Sequence, residues 1–553
     1  MKKIKYIFSL ACVLTIVGLI FAKSPADDLA LTRNLNTFNS VVKELSLAYV
    51  DSLKPDEAFR EAIDAFLATV DPYTEFYTAD DQESLKRMTT GEYGGIGSYI
   101  IERDGATYFS GPMEGSPAAA VGIRAGDRVL RVDSVDTSKM SSDKVTKLLR
   151  GVPGTTLNVT VQRPFATDSV ITFPITRAIL SQPSVAYAGV LPDSIGYIHL
   201  TSFIDKSPAE VREALLDFKN HPELKGIVLD LRGNGGGLLE SAVDILGYFL
   251  PKGTEVLRTR GRDAASERIY KTSHSPLYPD IPLVVVTDGS TASASEILAG
   301  AIQDLDRGVL IGSRSFGKGL VQTTRPLPYD QILKVTIAKY YIPSGRLIQA
   351  LDYVHRNDDG SAQRLPDSLT REFRTLHGRI VRDGGGLQPD SVVTYPKTTR
   401  LVYNAVRDNW VFDFATKYAA EHPDFPPIGQ FQISDSLYAD FKRSIDPDRF
   451  KYDRVMEDAL KQLREIADSE GYINDETTAA FDTLSTLLTH NLSRDLDTNR
   501  ALVESYLAPE IASRYYFDRG RIRQSLDYDA AIDVANAILS DPAVYNKFLA
   551  PVK

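Results

Sequence analysis

The sequence predicts an α/β core that carries a small β-rich module, preceded by a helical arm and followed by a long helical extension. Three observations predict it. From about residue 187 to 398, short apolar runs such as G-Y-I-H-L and G-I-V-L-D alternate with helix-period segments such as P-A-E-V-R-E-A-L-L-D-F, as strands and helices do when they share one sheet. Between residues 91 and 178 that alternation gives way to short strand-like pieces set off by turn residues, with one amphipathic helix marked by Val145, Leu148 and Leu149. Beyond residue 400, stretches such as M-E-D-A-L-K-Q-L-R-E-I-A and A-A-I-D-V-A-N-A-I-L are amphipathic at helical spacing, and the roughly 150 residues from 400 to 553 suffice for a domain of their own.

The chain opens with Lys2, Lys3 and Lys5, then a sixteen-residue apolar run from Ile7 to Ala22 broken only by Ser9 and Thr15. Residues 1–22 read as a secretory signal or weak anchor, because a spanning helix needs about 18 or more apolar residues. Ile20, Phe21 and Ala22 form the cleavage-site candidate. The single cysteine, Cys12, lies inside this run after S-L-A, which is not a lipoprotein box, and removal of the segment leaves no thiol for disulfides or metal ligation. The mature protein is expected outside the cytoplasm, periplasmic or exported, or tethered through an uncleaved segment. Residues 27–90 read as a helical arm in which Phe59, Ile63, Phe66 and Val70 follow the helical period, packing on the core or on a second subunit of a homodimer. With 553 residues, three or four domains are expected. With 63 basic against 73 acidic residues, a net charge of -10 and no concentrated basic face, nucleic acid is excluded as a partner.

The chemistry concentrates between residues 226 and 322. Pro282 to Thr287 is a β-branched run closed by Asp288 and Gly289, as a buried strand would be, and T-A-S-A-S-E leads into a helix carrying Ile297, Ala301 and Ile302. A hydroxyl at that helix start sits beside unpaired N–H groups and the positive end of the helix dipole. A second strand, Gly308 to Gly312, precedes S-F-G-K-G-L-V-Q, so Lys318 falls twenty-five residues after Ser293 and four before Gln322. If that piece is extended, Lys318 and Gln322 face one side. A serine needs a base to become a nucleophile. The seven histidines are scattered and no G-x-S-x-G elbow is present, whereas a lysine whose pKa is lowered by burial can serve. D-L-R-G-N-G-G-G follows the strand G-I-V-L, and its glycines let backbone N–H groups converge on developing negative charge. They could equally cradle a phosphate, but neither G-x-x-x-x-G-K-[ST] nor G-x-G-x-x-G occurs. Read from spacing alone, the same residues also fit a serine-capped helix start and a solvated loop lysine.

Four motifs in order, D-L-R-G-N-G-G-G (Asp230 to Gly237), T-A-S-A-S-E-I-L-A-G-A-I-Q-D (Thr291 to Asp304), S-F-G-K-G-L-V-Q (Ser315 to Gln322) and Y-Y-I-P-S-G-R-L-I-Q (Tyr340 to Gln349), resemble the carboxyl-terminal processing peptidases, the tail-specific serine proteases. The match continues in Gly378 to Asp390. The resemblance implies Ser293 as nucleophile, Lys318 as base and Gln322 as its support, with oxyanion donors from the backbone of Ala294 and of Gly235 or Gly236. It argues against the rival hydroxyls of Ser295 and Ser290. Thr291 stands where the family more often has serine. Asp304, Arg232 and Glu296 are expected to hold the site together rather than act on substrate. For residues 187–398 the resemblance implies the ββα spiral of the ClpP and crotonase relatives, and no metal or cofactor.

The module of residues 91–178, with E-Y-G-G-I-G-S-Y-I and G-I-R-A-G-D-R-V-L, resembles a PDZ domain inserted before the protease core. Such domains add a peptide as an extra strand and grip its terminal carboxylate with loop N–H groups, here those of Gly94, Gly95, Ile96 and Gly97. Ordinary turn glycines are the plainer reading of the same loop. Ile96, Val145 and Leu149 either line an apolar groove or fill the module's own core. The expected activity is a secreted Ser/Lys endopeptidase that recognises free C-terminal tails of polypeptides and cuts them through an acyl-enzyme. A non-catalytic PDZ scaffold and an acyl-CoA enzyme of the crotonase fold are the rivals, and the Ser293, Lys318 and Gln322 spacing weighs against both. Beyond residue 400 no chemical motif appears; dimerisation, a lid, adaptor docking and plain packing stay open, with packing foremost.

Overall fold

A computed structural model describes residues 25–550 apart from residue 168. The expected signal or anchor, residues 1–22, lies outside the described residues. Among those that are described, no helix is long and apolar enough to cross a membrane.

The chain divides into two compact units between Phe76 and Tyr77. In the first, helices α1 (Pro25–Ala48) and α2 (Pro55–Ala68) realise the predicted arm. Phe38 meets Phe59 edge-on with ring centroids 6.3 Å apart. Phe59, Phe66 and Val70 are nonetheless exposed, so the period that predicts α2 does not mark a buried face. Residues 77–90, which the helical pattern groups with the arm, cluster with the second unit.

The second unit begins with the β-rich module. Strands β1 (Glu92–Gly95), β2 (Ser98–Arg103), β3 (Ala106–Pro112), β4 (Arg128–Val132), β5 (Thr156–Gln162), β6 (Val170–Thr176) and β7 (Ala178–Ser181) are joined by helix α3 (Ser142–Leu149). The main sheet runs β2-β3-β4-β5-β6, which leaves β2 at an edge, and β1 pairs with β7 so that the entry and exit of the module lie side by side. Ile96, Val145 and Leu149 are buried with Phe109, Val129 and Val159. Of the two roles open to them, the structure gives them the core.

The α/β core is a six-stranded sheet ordered β8 (Val185–Leu191), β9 (Ile195–Leu200), β10 (Gly226–Asp230), β12 (Leu283–Thr287), β13 (Val309–Gly312) and β16 (Ser391–Val392), parallel except for the β8-β9 pair. Alternate residues serve opposite faces. Leu229, Leu283, Val285 and Leu310 pack with helices α4 (Ser207–Phe218), α5 (Leu239–Leu246) and α6 (Ala294–Asp304). Val228, Val284, Val286 and Ile311 pack on the other side against the last two helices, α12 (Ala530–Ser540) and α13 (Pro542–Leu549), through Ile532, Ile538, Leu539 and Tyr545. A parallel sheet must be covered on both faces, and the C-terminal extension supplies the second cover. A separate antiparallel sheet contains β11 (Glu255–Gly261) and the hairpin of β14 (Leu320–Leu327) and β15 (Gln331–Tyr341).

The remainder of the extension includes α7 (Arg400–Arg407), α8 (Trp410–Glu421), α9 (Val455–Ser469), α10 (Asp475–Leu488) and α11 (Arg500–Ser525), the last kinked at Tyr516 and Phe517. Leu401, Phe414, Phe441, Leu507 and Ile511 give it a core of its own. Arg103 of β2 donates two hydrogen bonds to Asp413 of α8, at 2.6 and 2.7 Å, tying the module to the extension.

Candidate active site

The turn that presents Ser293 is built from its own backbone demands. After β12, Asp288 Oδ1 accepts from the N–H groups of Ser290 and Thr291, each at 2.9 Å, and the Thr291 hydroxyl donates to Leu231 O at 2.9 Å. Ser293 then adopts φ 58° and ψ -118° immediately before α6. For a residue with a side chain this sparsely populated conformation costs about 1–3 kcal/mol. The residue stands at a sharp strand-to-helix turn, the position a nucleophile elbow gives its serine, without the G-x-S-x-G signature. Ser293 is half-buried.

Glu296, one turn into α6, is fully buried and receives four donors. Its Oε2 accepts from Ser293 N at 2.9 Å and Lys318 N at 2.8 Å, and its Oε1 from Ser315 Oγ at 2.5 Å and Gly317 N at 2.7 Å. One carboxylate therefore fixes the serine turn and the lysine loop together. From β15, the buried Tyr340 hydroxyl lies 2.6 Å from Lys318 O and 3.2 Å from Ser293 O, a second tie between the same two residues. Lys318 is half-buried.

Burial pushes the Glu296 carboxyl up to about 7, against the pull of its four donors. Protonation places an O–H where the geometry needs an acceptor, so at least one tie breaks as pH falls through about 7. The stability effect has the opposite sign. The folded state holds this proton more tightly than the unfolded chain, so the group's contribution declines as pH rises from its ordinary 4.5 to about 7, by up to about 3 kcal/mol. Glu296→Gln is expected to lack that decline in urea unfolding measured at either end of the window. It should also lower kcat/KM about tenfold or more, because only one amide oxygen remains to accept.

The glycine loop closes on the same turn. Buried Asn234 accepts through its backbone O from Ala292 N at 3.0 Å and from Ser295 Oγ at 2.9 Å, and its side chain bonds Leu200 O at 2.8 Å. Ser295 is buried with its hydroxyl so engaged, and Ser290 lies exposed on the Asp288 turn. A Cβ on Gly236 would come within 2.7–2.9 Å of Ala292 O, Ser293 Cβ and Ala294 N, and its φ is +99°. Only glycine permits that approach. Of the two glycines expected to offer an oxyanion donor, Gly236 is withdrawn, because its N–H donates to Asn234 Oδ1 at 2.9 Å. The N–H groups of Gly235 and Ala294 have no acceptor among the described residues, and Gly235 is exposed.

The other expected residues are placed as follows. Gln322 does not share a regular strand with Lys318: β14 begins at Leu320, a bulge follows Val321, and the Gln322 amide donates to Thr336 Oγ1 at 3.1 Å. The alternation that was to align the two is interrupted. Asp304 is buried against Arg346 at 2.8 Å and accepts from Ser344 N at 3.0 Å, a structural position. Arg232 is held by Asp230 and Asp529. In the module, Gly94 and Gly95 belong to β1 and pair with Ile179 and Ala178, so they run in a ladder rather than in the expected carboxylate loop. The N–H groups of Ile96 and Gly97 have no acceptor among the described residues, while the Gly97 carbonyl accepts from Met113 N and Ser116 Oγ. Tyr340 and Asp529 were not singled out from the sequence. Tyr340 opens the motif Y-Y-I-P-S-G-R-L-I-Q, whereas nothing in the sequence around Asp529 marks it. Among the described residues no group of three or more His, Cys, Asp or Glu could hold a metal ion.

A cleft of about 2190 Å³ opens between the module, β8 and the extension, lined by Tyr99, Tyr187, Phe412 and Arg514. It contains neither Ser293 nor Lys318, and reaches the glycine loop at Arg232 and Gly233.

Comparison with known proteins agrees with this architecture. Residues 194–354 match the model of peptidase family S41, residues 108–163 that of a PDZ domain, and residues 401–539 that of the C-terminal helical domain of a probable PDZ-protease. The carboxy-terminal-processing protease of Bartonella bacilliformis is 34% identical over 322 residues, 58% of this chain and 73% of that protein. A probable CtpA-like serine protease of Staphylococcus aureus is 33% identical over 346 residues, 61% of this chain and 68% of that protein. A solved photosystem II D1 C-terminal processing protease is 30% identical, with a TM-score of 0.33 over 55% of this chain and 82% of its own. The α/β core with an inserted PDZ domain and a helical extension thus belongs to the carboxy-terminal-processing proteases of peptidase family S41, serine-type peptidases.

Proposed function

We propose that this chain is an endopeptidase acting outside the cytoplasm, which engages the free C-terminal tails of polypeptides through its PDZ domain and cleaves them by Ser293 with Lys318 as base. One observation carries the reading: the Glu296 carboxylate accepts from the backbone N–H of both Ser293 and Lys318, at 2.9 and 2.8 Å. In the proposed reaction the neutral Lys318 amine takes the hydroxyl proton as Ser293 Oγ attacks the scissile carbonyl. The N–H groups of Ala294 and Gly235 receive the oxyanion. Collapse of the adduct expels the leaving amine with the proton held by Lys318 and leaves an ester on Ser293, which water then hydrolyses with Lys318 again as base. Gln322 is assigned a supporting role toward Lys318 once substrate is bound. The lysine-led apolar run of residues 7–22 supports export.

Tail recognition is assigned to the edge strand β2 beside α3, with the N–H groups of Ile96 and Gly97 turned to the terminal carboxylate. A disordered polypeptide with an apolar tail, offered with its C-terminus free or amidated, tests this part. The free form is expected to show a KM about tenfold lower or better, since the amide removes a charge-assisted contact. Equal KM for the two forms would refute carboxylate recognition.

A further inference from the structure

Arg232 stands two residues before Asn234 and three before Gly235, in the loop that carries the proposed oxyanion donor. Its guanidinium is gripped on two sides. Nε and Nη2 donate to Asp230 at 2.5–3.0 Å, while Nη1 and Nη2 donate to Asp529 at 3.1 and 2.5 Å, and Nη1 also reaches Tyr395 Oη at 3.3 Å. Every nitrogen of the fork is engaged, which fixes its plane as well as its position. Asp230 ends β10 and is itself anchored by the Tyr197 hydroxyl at 2.7 Å. Asp529 comes from the C-terminal extension, 297 residues away, where Oδ1 accepts from Ala531 N at 2.9 Å and caps α12. The Asp529 side chain is 13% exposed and that of Arg232 21%, so the pair is shielded from solvent.

We infer that Asp529 is a positioning residue for the proposed reaction: the extension, through the cap of α12, holds Arg232 and thereby the Gly235 N–H at the place where the oxyanion forms. The inference rests on the Ser293 reading above. It gives the extension a part in turnover beyond covering the sheet. The start of the same helix that buries Ile532 against the protease core also sets the loop in front of Ser293.

Asp529→Asn in the full chain isolates the contact. Asparagine caps a helix about as well as aspartate, so α12 keeps its start, while the charge and the two-pronged grip on Arg232 are lost. With a disordered polypeptide bearing a free apolar tail, kcat is expected to fall about tenfold, within the range set by loss of an oxyanion donor, and KM to stay within about twofold. Affinity for a peptide boronic acid, whose tetrahedral adduct with Ser293 places an oxygen in the oxyanion position, should fall in parallel with kcat. The thermal midpoint should fall by no more than the few °C that loss of one shielded ion pair accounts for, since core and cap are spared. Asp529→Ala, which removes the cap as well, should show the same loss of kcat with a lower midpoint. Wild-type kcat in Asp529→Asn, or a changed midpoint with boronate affinity unmoved, would overturn the inference. Failure of the underlying reading looks different: wild type itself would ignore the boronate and Ser293→Ala would remain active, which overturns both.

Discussion

Ser293→Ala is expected to lower kcat/KM by about 10³-fold or more, while binding of a C-terminal peptide to the PDZ domain is unchanged. The magnitude is that of removing the nucleophile from a serine hydrolase, the role proposed for Ser293, where the oxyanion hole and substrate binding leave only residual catalysis. The variant is informative because two structural contacts of Ser293 run through its backbone: its N–H donates to Glu296 and its carbonyl accepts from Ile297 N. Alanine keeps both contacts. Stability should therefore stay within about 1 kcal/mol of wild type, and a lost rate with an intact fold points to chemistry. Ser295→Ala provides the contrast. Its buried hydroxyl donates to Asn234 O, so its removal should cost about 1 kcal/mol of stability with the acylating group still present.

Lys318→Ala is expected to reduce kcat/KM by a comparable factor, about 10²–10⁴, the usual worth of a positioned general base. Lys318→Arg separates a base from a mere positive charge, since arginine keeps the charge but does not release its proton at accessible pH. If Lys318 takes the serine proton, the arginine variant is as inactive as the alanine one. If its charge only steadies the loop, arginine restores activity. In wild type the rate should rise with pH, because the proposed reaction needs a neutral lysine and the Glu296 carboxylate, pushed up to about 7, must be ionised to hold both backbones.

The elements that frame this candidate site were legible in the sequence because they are local, while the roles given to Ser293, Lys318 and Gln322 came from the family resemblance. The β-branched run before Asp288, the small residues before Ile297 and the glycines after Arg232 each announce a strand end, a helix start and a close backbone approach within a few residues. What was not legible depends on contacts between distant segments. Tyr340 meets Ser293 across 47 residues and Asp529 meets Arg232 across 297, and neither spacing leaves a local pattern. The bulge after Val321 likewise cannot be read from alternation, which is why Gln322 turned to Thr336. The strained φ of Ser293 gives no signal either, since it is carried by a serine and not a glycine. The strand L-V-V-V-T is apolar at every position before its last, so both faces of the sheet had to be covered. The helices before residue 400 cover one face, which points to the extension for the other. The arm shows the converse, a helical period without burial at Phe66.

The most direct test is to trap the covalent intermediate. The full chain is mixed with an activated peptidyl ester, quenched in acid within one turnover, digested and examined by mass spectrometry. The account predicts an acyl group on the fragment containing Ser293, absent in Ser293→Ala and slow to form in Lys318→Ala. An acyl group on Ser290 or Ser295, or continued turnover by Ser293→Ala with no acylated fragment, would contradict it.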